Sequence, residues 1–150
     1  MDRVAYTAAL GVSISGGFTI ATANGAVRLQ NGSQIAGTVN LTGTNSDLGL
    51  EQTTTMSGLT VNLGTAGTGA FFSVEGTNTV TLDNTVVVRG VGGISGARLL
   101  GGTSTLINQG SISADVAGQT LTISTTNFTN QGALNAVNGA TLTVGNAAGQ

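Results

Sequence analysis

Six carboxylates and four arginines carry all the charge on this 150-residue chain: Asp2, Asp47, Glu51, Glu75, Asp83 and Asp115, with Arg3, Arg28, Arg89 and Arg98. An acid and a base facing each other across a small gap are the minimum for cleaving a glycosidic bond. Glu75 and Asp83 are the two that neighbouring layers of chain could bring together, with Arg89 as a nearby cation. No second cluster supports them, and the sequence holds no His and no Lys to share the proton transfers. The expectation is isolated charges on solvated loops, no catalytic residue and no enzyme.

Other chemistries are excluded by residue type. Without Cys or His there is no soft metal site. Calcium binding of the repeat-in-toxin kind needs Gly-Gly-x-Gly-x-Asp, and Gly92-Gly93-Ile94-Ser95-Gly96 lacks the Asp. The same glycines are no phosphate loop, since no Lys follows. A net charge of −2 with scattered arginines offers no basic face, so neither nucleic acid nor an anionic membrane is expected as a partner, and no cofactor is implied. Asn-x-Ser/Thr triplets at Asn31, Asn40 and Asn127 are what a chain this rich in Asn and Thr contains by composition.

The elements that would position any such residue are strands. The chain has 25 Gly, no Pro and 7% charged residues, yet is 39% hydrophobic, enough apolar side chain to bury. Thr favours strands, whereas Gly and Asn favour turns. A four-residue alternation returns as Gly17-Phe18-Thr19-Ile20, Thr38-Val39-Asn40-Leu41, Thr60-Val61-Asn62-Leu63, Thr79-Val80-Thr81-Leu82, Thr103-Ser104-Thr105-Leu106, Thr120-Leu121-Thr122-Ile123 and Thr141-Leu142-Thr143-Val144. The starts lie 17 to 24 residues apart, about 21 on average. Alternation with period two marks half-buried strands, and strands this short are stable only when stacked.

These observations predict an all-β, single-domain β-solenoid over 1–150, of about seven coils of roughly 21 residues, with three short strands per coil. The three strands are read from the Asn-Gln-Gly corners at Asn108-Gln109-Gly110 and Asn130-Gln131-Gly132, each flanked by strand-like pieces. The expected core is Phe18, Val39, Leu41, Val61, Leu63, Val80, Leu82, Leu121, Ile123, Leu134, Leu142 and Val144. Loops are expected to leave the stack at Gly90 to Gly102 and at Asn45 to Met56. Val4 to Ile14 reads as a first strand rather than a signal peptide, and no run is long enough for a transmembrane helix. Met1 and the stretch Gly145 to Gln150 read as the ends of an excised fragment.

If the copies are in register, two outward files form a ladder. One is Thr38, Thr60, Thr79, Thr103, Thr120 and Thr141; the other is Asn40, Asn62, Thr81, Thr105, Thr122 and Thr143. This lattice resembles the Thr arrays of β-solenoid ice-binding proteins, which implies an ice- or polysaccharide-binding face. Uneven coil length favours the plainer role of Thr as a solvent-facing strand residue.

The stretch Leu106 to Val144, with its Asn-Gln-Gly corners and Thr-Leu-Thr-[Ile/Val] strands, resembles the repeat regions of large bacterial secreted adhesins: autotransporter passengers and filamentous-haemagglutinin-like proteins. Gly58 to Gly64 is similar in the same way. In those families the fold is a right-handed parallel β-helix displayed outside the cell. The resemblance implies a structural or adhesive segment, extracellular or on a bacterial cell surface. It would act as a rigid stalk or filament piece, associate end to end, and contact carbohydrate or host surfaces. A ligand-binding solenoid using the Thr ladder is the alternative, with a glycan-cleaving enzyme behind it.

Overall fold

The computed structural model describes residues 6–145, and every regular element in it is a β-strand. Hence no helix among the described residues is long and apolar enough to cross a membrane. Numbered in chain order, the first coil is β1 (Tyr6–Leu10), β2 (Ser13–Ile14) and β3 (Gly17–Ile20). The second is β4 (Ala26–Gln30), β5 (Gln34–Ile35) and β6 (Gly37–Leu41), and the third is β7 (Ser46–Leu50), β8 (Thr54–Met56) and β9 (Leu59–Leu63). The fourth is β10 (Ala70–Val74), β11 (Thr79–Leu82) and β12 (Val87–Gly90), and the fifth is β13 (Gly92–Gly96), β14 (Thr105–Asn108) and β15 (Ser111–Ala114). The sixth is β16 (Thr120–Ser124), β17 (Asn127–Asn130) and β18 (Ala133–Ala136); β19 (Thr141–Val144) opens a seventh.

Strands pair only in parallel, each with its counterpart one coil away, and this makes the chain a three-faced β-solenoid. The first face is the sheet β1-β4-β7-β10-β13-β16-β19, and the third is β3-β6-β9-β12-β15-β18. The second face carries β2-β5 and then β8-β11-β14-β17. Parallel strands this short cannot bury an apolar face singly; winding them into a coil does so on three sides at once. The inward file of the first face runs Val27, Leu48, Phe72, Ile94, Ile123, and that of the third runs Val39, Val61, Val88, Ile112. All of these are buried except Val27, which is half-buried.

The expected solenoid of about seven coils is present as six coils and the opening strand of a seventh, at roughly 22 residues per turn; three finer expectations, two on loops and one on the core, are corrected. Paired residues lie 20 apart at Tyr6 and Ala26 but 29 apart at Gly93 and Thr122. The loop expected at Gly90 to Gly102 begins only after Gly96, because Gly90 and Gly92–Gly96 are strand. Asn45 to Met56 is no excursion, since it contains β7, buried throughout, and β8. Of the expected core, Phe18, Leu134 and Leu142 are only half-buried and Val144 is 47% exposed, each lying in an outermost described layer with a neighbour on one side.

The Asn-Gln-Gly corners stack as expected. Asn108 Nδ2 donates to Asn130 Oδ1 at 2.7 Å, and Gln109 Nε2 to Gln131 Oε1 at 3.0 Å. A tight corner is the single residue Val91 between β12 and β13. It is flanked by Gly90 and Gly92 at φ 119° and 127°, where a side-chain Cβ would sit 2.0 Å from the Leu63 carbonyl oxygen and 2.2 Å from that of Ala70.

Candidate functional site

The outward ladder read from sequence is not one ladder. Thr38 with Thr60 and Asn40 with Asn62 do stack on the third face, where Asn62 Nδ2 donates to Asn40 Oδ1 at 2.8 Å, but the next rung is Val87 and Arg89. Thr79 and Thr81 lie on the second face, paired with Thr105 and Ile107. Thr103 stands in the loop before β14, its N–H directed at Thr77 Oγ1. Thr120 with Thr141 and Thr122 with Thr143 stack on the first face. Strands on all three faces show the same polar–apolar alternation, so the pattern marks a strand without marking its face.

The proposed acid–base pair is not assembled either. Glu75 follows β10 at the corner between first and second faces, Asp83 follows β11 at the next corner, and Asp115 follows β15 at the third. Asp83 accepts from Ser57 Oγ at 2.5 Å and from the Thr85 N–H at 2.8 Å, and these bonds hold its carboxyl below the usual carboxylate range. Asp115 takes the Arg89 Nε–H at 2.7 Å. Asp2 and Arg3 lie outside the described residues.

Charge converges instead on the outer face of the first sheet, where the sequence reading expected solvated loops. The register sets Asp47 beside Phe71 and Phe71 beside Gly93, and in the next file Arg28, Gly49, Ser73 and Ser95. Glu51 and Glu75 come one position beyond β7 and β10, their N–H groups bonded to the carbonyls of Leu29 and Leu50. Gly49 lies in their midst: a Cβ there would make ordinary contacts with Ser73 Oγ at 3.4 Å and the side-chain stems of Arg28 and Glu75 at 3.7 and 3.8 Å. Glu51 is ion-paired with Arg28 and accepts a hydrogen bond from Gln30 Nε2.

Glu75 is fully buried. Its Oε1 accepts the N–H of Arg98 at 3.1 Å, and its Oε2 those of Leu99 at 2.9 Å and Leu100 at 3.0 Å. Three successive backbone donors form a cradle for one carboxylate, the arrangement that stabilises negative charge away from water. They belong to residues 97–102, which leave the solenoid after β13 and lie back as a strap over this face. Ala97 at φ 50° and Gly101 and Gly102 at 65° and 104° make the turns. Arg98 stacks on the Phe71 ring, 3.3 Å from its centroid, and Gly93 leaves the space that the ring fills.

Asp47 is 5% exposed, and Ser73 Oγ donates to its Oδ1 at 2.8 Å. Burial pushes its carboxyl up to about 6, outweighing the lowering by Ser73, Arg98 and Arg28; Glu75 adds to the rise. Beside it opens a cleft of about 180 Å³ lined by Asn24, Ala26, Asn45, Asp47, Arg98 and Leu99. The arrangement can take up or release a proton near neutrality and can surround a small polar molecule with amide, carboxyl and guanidinium groups. Its signal lay in the outward alternation Asp47, Gly49, Glu51, one coil ahead of Phe71, Ser73, Glu75, hidden by treating this stretch as loop.

Comparison with known protein families, with curated proteins and with solved structures finds no match.

Proposed function

We propose that the chain is a structural segment of a bacterial surface protein, extracellular, serving as a rigid stalk or a self-associating filament piece. The observation that supports this reading is the continuity of the first sheet from β1 to β19, one strand per coil and always parallel. Each layer adds about 4.8 Å, so the six coils make a rod about 30 Å long. Carbohydrate or host-surface contacts would be made through its polar faces and loops. A lattice-matching face for ice or polysaccharide draws no support from three short Thr ladders on three faces.

The test is assembly. Sedimentation velocity and electron microscopy over a concentration series are expected to show rods that lengthen in whole multiples of the monomer. Monomers alone at the highest concentration defeat the self-associating form of the proposal.

A further inference from the structure

An outward carboxyl on a sheet face is ordinarily in water, and Asp47 is not. Its neighbours in the sheet are Ala26 and Phe71, and the strap lies on its open side, with Arg98 and Leu99 lining the same cleft. The strap touches the solenoid mainly through groups that respond to charge: the Glu75 carboxylate under three N–H donors and the Arg98 guanidinium over Phe71. Leu99 and Leu100 themselves remain 51% and 57% exposed, so little apolar burial holds the strap down.

We propose that residues 97–102 form a proton-coupled strap, seated over the first face when the Asp47 carboxyl carries a proton and loosened when that carboxyl ionises. The coupling is a matter of linkage. With the strap seated, Asp47 is desolvated and titrates at about 6; with it lifted, the side chain becomes a solvated sheet-surface carboxyl with the ordinary value of 3.8. A group that binds its proton more tightly in the closed state draws the protein into that state as protons become available. The ratio of closed to open therefore rises as pH falls through the interval between those values, by up to about 100-fold.

The charges that face Asp47 set the sign. Arg28 on β4 and Arg98 on the strap favour its ionised form, and Glu75 beyond β10 opposes it. Glu51 beyond β7 is engaged by Arg28, and β13 contributes only Gly93 and Ser95 at the facing positions. Desolvation outweighs the cations, so ionisation of Asp47 works against closure. Closing the strap also builds the wall of the cleft, because Arg98 and Leu99 supply one side of it. The cleft is thus more fully formed in mildly acidic than in neutral solution.

Amide hydrogen exchange of the full chain tests this, read at Arg98, Leu99 and Leu100 at about pH 5 and about pH 7.5 after correction for intrinsic rates. Protection of the three amides is expected to be greater at the lower pH by about tenfold, the share of the full linkage reached at pH 5. Asp47→Asn, which cannot ionise, is expected to be protected equally at both. Protection that is flat or greater at neutral pH in the native chain overturns the proposal, as does a pH dependence that survives in Asp47→Asn. Should that variant not fold, carbon-13 titration of the Asp47 carboxyl decides: its midpoint is expected to fall from about 6 towards 4 when residues 98–100 are replaced by Gly. A midpoint unchanged by that replacement overturns the proposal equally.

Discussion

The Glu75 carboxylate receives the backbone N–H of Leu99 at 2.9 Å, from 24 residues further along the chain, and is fully buried in doing so. This contact joins a corner of the fourth coil to the loop of the fifth. It explains why a carboxylate occurs in the interior of a chain so poor in charge: the strap needs an acceptor, and Glu75 supplies both oxygens to three successive donors.

Replacing Glu75 by Gln keeps the shape but turns one acceptor into a donor facing backbone N–H groups. The cost is expected to be about 1–3 kcal/mol in denaturant melts. Arg98 should also become a site of rapid tryptic cleavage while the remaining arginines on strands stay resistant. A variant as stable and as resistant as the native chain would show that the cradle contributes nothing.

Asp47 makes stability depend on pH in an unusual direction for an acidic residue. Its folded value, about 6, lies above the ordinary 3.8, so the folded protein binds the proton more tightly. The resulting contribution is complete below pH 3.8 and is lost as the pH rises through 6. It is on the order of 3 kcal/mol. Asp47→Asn should therefore raise stability at neutral pH and flatten the slope between about pH 4 and 6, measured by urea unfolding across pH.

The two adjacent phenylalanines should respond differently. Phe72 points inward and is among the largest fully buried side chains, so Phe72→Ala is expected to cost about 3–5 kcal/mol. Phe71 faces outward beneath Arg98; Phe71→Ala should cost less, and chiefly free the strap. Equal losses in chemical denaturation would contradict the register of β10.

The corner at Val91 should tolerate no side chain on either flank. Gly90→Ala places a Cβ at φ 119° and 2.0 Å from the Leu63 carbonyl oxygen, and is expected to cost about 2 kcal/mol or more. Gly67→Ala, at φ 82° with open space around it, isolates the backbone term and should cost about 1 kcal/mol.

Much of this architecture was legible in the sequence. Alternation in segments such as Thr60-Val61-Asn62-Leu63 identified strands, and repeated Asn-Gln-Gly corners gave three strands per coil. The face assignment was not legible, because Thr79–Leu82 and Thr120–Ser124 alternate just as Thr38–Leu41 does while belonging to the second, first and third faces respectively. Corner loops of changing length carry the register, and they leave no mark on the alternation. The charged site was missed for a related reason. Asp47, Glu51 and Glu75 look like solvated residues one at a time; the stacking of β7 on β10, with the strap laid across, removes Asp47 and Glu75 from water, and Glu51 is covered through its pairing with Arg28.

The register of the coils is the claim on which the rest depends, and engineered disulfides test it directly in a chain with no native Cys. Thr122 and Thr143 are outward neighbours on paired strands of the first face, a separation within the reach of a disulfide, so T122C/T143C should oxidise readily without loss of stability. Thr60 and Thr79, adjacent in the file suggested by sequence alone, lie on different faces, so T60C/T79C should remain reduced in the folded protein. Ready oxidation of the second pair with none of the first would contradict the account.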